Sequence, residues 1–104
     1  MNTVELIKKK RDGDALAPDE IKFLINQYTA DNIPDYQFSA LLMAILLNGM
    51  NVKETSALTN SMLNSGKIIN ISSLRGAKID KHSTGGVGDK TSLIITPIVA
   101  STGI

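Results

Sequence analysis

The chain contains no cysteine and no tryptophan, and a single histidine among its 104 residues. Without thiols there is neither a disulfide nor a thiolate metal site, and one imidazole cannot build a zinc centre without help from carboxylates. Aromatic residues amount to two Tyr and two Phe, and the formal net charge is +1. Such a chain has little to stack on bases and no strongly basic face to neutralise a phosphate backbone, which argues against nucleic acid as a partner. No apolar run reaches transmembrane length, and Glu5 followed by Lys8, Lys9, Lys10 and Arg11 is the wrong order for a secretory leader. The expectation is a cytoplasmic protein without a membrane partner. Repeats and low-complexity stretches are also missing.

With 42% hydrophobic residues the chain has enough apolar surface for one small core. Thr3 is placed to cap a first helix in which Val4 and Ile7 share a face, ending near Asp12 and Gly13. A second helix is predicted from Pro18, with Asp19 and Glu20 compensating the helix dipole and Ile21, Leu24, Ile25 and Tyr28 forming one stripe. Pro34 and Asp35 open a third, through about Asn48, whose inward face is read as Phe38, Leu41, Leu42 and Ile45. Because Met43, Leu46 and Leu47 make that helix apolar nearly all round, it needs covering on more than one side, and a homodimer through the helical domain follows as an expectation. Asn51 with Glu54 reads as a capping box for a fourth helix, with Leu58, Met62 and Leu63 inward and Gly66 past its end. The basic cluster from Lys8 to Arg11 reads as a solvated helix face, and the methionines as core filler.

After Gly66 the pattern changes: residues 67–76 read as a connector, Ala77 to Asp80 as a short strand, and the segment from Thr91 to Ser101 as a helix starting near Asp89 and kinked at Pro97. Between strand and helix lies the most informative run of the chain, Asp80-Lys81-His82-Ser83-Thr84-Gly85-Gly86-Val87-Gly88-Asp89-Lys90-Thr91-Ser92. Glycines let backbone N–H groups approach an anion, a helix start adds partial positive charge, and Lys81, Ser83 and Ser92 supply further donors. That chemistry suits phosphate. A P-loop is excluded because Asp89 separates Gly88 from Lys90, and the dinucleotide fingerprint fails because Thr91 stands where its third glycine belongs.

The unbroken run D-K-H-S-T-G-G-V-G-D resembles the signature of the pyrimidine-nucleoside and thymidine phosphorylases. Upstream segments, Leu6 to Gly13, Ile33 to Gln37, and Leu58-Thr59 followed by Met62, resemble the amino-terminal region of the same family. The resemblance implies a mainly α chain in which an amino-terminal helical bundle is followed by the first strand-loop-helix of an α/β domain. It implies a helical dimerisation domain over 1–66, a hinge over 67–76, and the start of a phosphate-binding α/β domain over 77–104, so that the chain reads as an amino-terminal fragment that is inactive by itself.

The resemblance assigns phosphate binding to Lys81, Ser83 and Ser92 and to the backbone of Gly85, Gly86 and Gly88, with His82 as the catalytic residue. The reaction it implies joins phosphate to the sugar of a pyrimidine nucleoside and releases the base. Some members hold a potassium ion on backbone oxygens at the positions of Gly88 and Lys90, although Lys90 stands where those members often have Thr; no other cofactor is expected. Two alternatives stay open from the residues: a non-catalytic helical dimerisation fragment, and a relative of the anthranilate-type phosphoribosyltransferases, whose T-G-G-D turn differs from this one by Val87 and Gly88.

Overall fold

Helix α1 (Thr3–Arg11) begins at Asn2, whose Oδ1 accepts from the backbone N–H of Val4 at 2.9 Å and of Glu5 at 3.3 Å. The cap is therefore Asn2 and not Thr3, in keeping with the higher ranking of asparagine at that position. The computed structural model describes residues 1–80 and 90–103. Gly13, at φ +96°, closes α1: its N–H donates to Lys10 O and that of Asp14 to Lys9 O, each at 3.1 Å. This left-handed closure needs a residue without a Cβ penalty.

Helix α2 (Pro18–Thr29) carries proline at its first position, and Glu20 Oε2 accepts from the Ala17 N–H at 2.8 Å. It ends in the same closure, with Asp31 at φ +60° in the glycine's place and Asn32 N–H donating to Gln27 O at 2.9 Å. Helix α3 (Asp35–Asn48) follows Pro34. Helix α4 (Val52–Ser65) starts with the expected capping box: Asn51 Oδ1 accepts from Glu54 N at 2.8 Å while Glu54 Oε2 accepts from Asn51 N at 2.9 Å.

The chain divides into two units, residues 1–68 and residues 69–104. In the first, α1 packs on α3 and α2 on α4. Leu6, Leu16, Ile21, Leu24, Ile33 and Leu41 form the core, with Phe38, Ile45 and Leu58 packed against it. Each such side chain contributes about 1.5–3 kcal/mol of transfer free energy on burial. Tyr28 stacks on Phe38 with ring centroids 3.9 Å apart, and its hydroxyl donates to Asp35 Oδ1 at 3.0 Å, fixing the start of α3 on the end of α2.

Three expectations about burial are corrected. On α3 the inward face is Phe38, Leu41, Ala44 and Ile45, while Leu42 is about half exposed. A helix apolar all round offers no contrast from which to choose a face, so the neighbours choose it. On α4 the stripe towards the core is Glu54, Ala57, Leu58 and Ser61, leaving Met62 and Leu63 exposed. The basic cluster of α1 is not uniformly solvated either: Lys10 is 3% exposed, and its Nζ donates to the equally buried Glu54 Oε1 at 2.8 Å.

In the second unit, Ile71 O accepts from Leu74 N at 3.0 Å in a turn, and Gly76 takes φ +91°. Residues 77–80 have no regular secondary structure, so the strand expected there is not formed; no other described segment offers them a hydrogen-bonding edge. Thus the described residues form five helices and no strand. The fifth, α5 (Lys90–Ala100), continues through Pro97, and none of its residues is buried.

Candidate functional site

Most of the glycine-rich run, residues 81–89, lies outside the described residues, and with it Lys81, His82, Ser83, Gly85, Gly86 and Gly88. The two segments that flank it are described. On one side Lys78, Ile79 and Asp80 lie outside any helix; on the other, Lys90, Thr91 and Ser92 make the first turn of α5. A cavity of about 550 Å³ lies between these flanks, lined by Lys78, Asp80, Ser92 and Thr96 among apolar residues that include Ile71 and Ile95.

Ser92, expected to bind phosphate, is half-buried on the cavity wall, whereas Lys90 is exposed. The Ser92 carbonyl accepts from the Thr96 hydroxyl at 2.7 Å. Ser92, Ile95, Thr96 and Val99 repeat at intervals of three, four and seven, so a single face of α5 lines the cavity. Lys78 and Thr96 had not been singled out from the sequence; the helical spacing from Ser92 was the signal that could have marked Thr96. Chemically the cavity combines an ammonium, a carboxylate and hydroxyls with an apolar floor, which suits a ligand having one polar and one apolar part. Of the two positions that the potassium reading invokes, Gly88 is outside the described residues, and the described residues hold no group of three or more His, Asp or Glu side chains suited to a metal ion.

The other polar cluster lies in the helical unit and is structural. Glu54 Oε1 accepts from both Lys10 Nζ and Leu16 N at 2.8 Å, and Oε2 from Asn51 N at 2.9 Å. Burial pushes the Glu54 carboxyl up, yet the hydrogen bonds from Lys10, Leu16 and Asn51, together with the Lys10 charge, bring it below its ordinary value. Glu20 is also lowered, chiefly by the hydrogen bond from Lys9 at 2.8 Å. Every buried polar side-chain atom among the described residues is satisfied, so this cluster presents nothing to a substrate.

Comparison with known proteins adds two findings. Residues 4–66 match the glycosyl transferase family, helical bundle domain. Over all 104 residues the chain is 57% identical to a pyrimidine-nucleoside phosphorylase of Geobacillus stearothermophilus, covering 24% of that protein. It is 53% identical to the protein of the same name from Staphylococcus haemolyticus (strain JCSC1435) and 52% identical to that of Staphylococcus epidermidis (strain ATCC 12228 / FDA PCI 1200), again over 104 residues and 24% of each. The chain therefore spans about a quarter of the length of the curated relatives that it matches.

Proposed function

Since this chain belongs to the glycosyl transferase family through its helical bundle domain, we propose that it is part of a pyrimidine-nucleoside phosphorylase and contributes the phosphate-binding loop to that enzyme. The observation that carries this reading is identity of 57% across the full chain to a phosphorylase of that name. The chemistry of residues 81–92 agrees with it. Lys81, Ser83, Ser92 and the N–H groups around Gly85, Gly86 and Gly88 hold phosphate by charge-assisted and neutral hydrogen bonds.

Phosphate held in this way attacks the anomeric carbon as the glycosidic bond breaks, so that a carbon–oxygen bond forms and the base leaves with the electrons of the broken bond. Fixed orientation of the two reactants supplies much of the acceleration. His82, drawn towards the imidazolium form by the neighbouring anion, donates to the pyrimidine O2 as negative charge gathers there. The products are free base and pentose 1-phosphate. A potassium ion on the Gly88 and Lys90 carbonyls would add positive charge at the edge of this loop.

In this reading residues 1–66 are the dimerisation domain, 67–76 the hinge and 77–104 the start of the phosphate-binding domain, in a cytoplasmic enzyme. Support for the dimer is the outer face of α3, where Leu42 and Met43 are about half exposed and Leu46 and Leu47 are each 75% exposed. A patch of that kind on a helix otherwise well packed is suited to a second copy. Sedimentation should give a dimer, and Leu46→Glu with Leu47→Glu should give a folded monomer; a monomeric parent would overturn the interface.

The activity is tested in a protein of family length carrying this sequence. Thymidine or uridine with inorganic phosphate should yield free base, and phosphate should be absolutely required. Turnover of anthranilate with phosphoribosyl pyrophosphate instead, or no turnover of either pair, would overturn the assignment.

A further inference from the structure

Asn48 closes α3, and Gly49 follows it at φ +72°. The Asn48 side chain reaches across to α1, where its Nδ2 donates to the carbonyls of Lys10 and Arg11, each at 3.0 Å. One amide thus serves terminal carbonyls of α1 and ties the C-terminal ends of two helices together. Asparagine followed by glycine is also open to internal attack, since glycine places no Cβ beside its own backbone nitrogen. A Cβ on Gly49 would meet nothing within 4 Å, and Asn48 itself is exposed, so neither crowding nor exclusion of water protects the pair.

We propose that Asn48 is a self-modification site, one whose reaction the folded bundle restrains and whose product unlatches α1 from α3. In the reaction the Gly49 nitrogen gives up its proton and attacks Asn48 Cγ. The new nitrogen–carbon bond forms as the Cγ–Nδ2 bond breaks, and ammonia leaves with the proton. Water then opens the cyclic imide, its hydroxyl going to one carbonyl carbon and its proton to the released nitrogen, which leaves an aspartyl or isoaspartyl linkage. No oxidant or reductant takes part.

Two native contacts oppose the first step. The Gly49 N–H donates to Ile45 O at 2.7 Å, and the Asn48 amide is held on α1 and away from its neighbour's nitrogen. Both must be given up, so reaction proceeds from states in which the last turn of α3 has opened. The product cannot restore the latch. A carboxylate only accepts hydrogen bonds, and here, at the negative end of α3, it would face two carbonyl oxygens at the negative end of α1. The neighbouring cation, Arg11, is already paired with Asp12 at 2.8 Å.

Peptide mass spectrometry after incubation at mildly alkaline pH reads the conversion at Asn48 directly, in the folded chain and in the same chain held in urea. Conversion should be at least about tenfold slower when folded; equal rates would overturn the restraint. Asn48→Asp, the product mimic, should lower the folding equilibrium constant at least about tenfold, and by more than Asn48→Ala does. An Asn48→Asp chain as stable as the parent would overturn the unlatching, while the rate comparison stands independently of whether that variant folds.

Discussion

Replacing Glu54 by Ala should cost the helical unit roughly 3–5 kcal/mol, the range found when one partner of a buried ion pair is removed. The reason is the number of groups that this carboxylate serves. Lys10, 3% exposed, would keep its charge with no counter-ion, while the N–H groups of Leu16 and Asn51 would lose their acceptors. A unit of this size has a total stability of only about 3–10 kcal/mol, so the loss consumes most of it. Urea unfolding at neutral pH measures the effect, and a cost below about 1 kcal/mol, the range of exposed ion pairs, would contradict the burial described here. The double variant Lys10→Met with Glu54→Gln should be more stable than Glu54→Ala, because it removes the orphaned charge and keeps an acceptor for Leu16.

The same site gives a pH dependence of definite sign. The Glu54 carboxyl lies below its ordinary 4.5 when folded, because hydrogen bonds and the Lys10 charge outweigh a burial cost that acts in the other direction. The folded state therefore binds this proton less tightly than the unfolded state does. Its contribution is fully present above the ordinary value and is lost as pH falls through the folded value. Glu20, lowered by Lys9, acts in the same direction. Acid titration of the urea midpoint should accordingly fall more steeply in the parent than in the Lys10→Met, Glu54→Gln double variant, and parallel curves would show that Glu54 is not the group concerned.

His82→Ala, in a protein of family length, should lower kcat by about 10²–10⁴-fold, the usual contribution of a positioned proton donor. The helical content should stay the same, since His82 lies outside the helical unit that holds the core. Lys81→Ala should differ in kind. A side chain that binds phosphate in the ground state should raise the phosphate KM, whereas one that meets charge on the departing base should lower kcat. Unchanged kcat in His82→Ala would remove histidine from the chemistry, and an unchanged phosphate KM in Lys81→Ala would remove lysine from the anion site.

Much of the helical unit was legible residue by residue. Pro18 marked the start of α2, the Asn51–Glu54 box marked α4, and Gly13 marked the end of α1. Each acts on backbone groups within a few positions of itself, which is why a linear reading finds it. The stripe of α2 was legible too, because its polar residues leave only one apolar side. On α3 the same reasoning chose Leu42 where the core takes Ala44, for want of polar residues to mark the outer face. The strand expected at 77–80 illustrates a different gap: a short segment can be read as a strand from its place in the chain, but a strand exists only beside another.

For the candidate site, the types of residue between Asp80 and Ser92 raise the expectation of an anion and set aside a P-loop and a dinucleotide fingerprint. Helical spacing could have joined Thr96 to Ser92, but neither composition nor spacing indicated that Lys78 would share their cavity.

What the amino-acid order determined by itself was therefore local: where the helices start and stop. Only the tertiary structure decided that Lys10, one of four consecutive basic residues, is the one withdrawn from water, since its partner stands 44 positions away. Caps and turns are settled by hydrogen bonds among near neighbours, whereas burial is settled by whichever distant segment arrives to exclude the solvent.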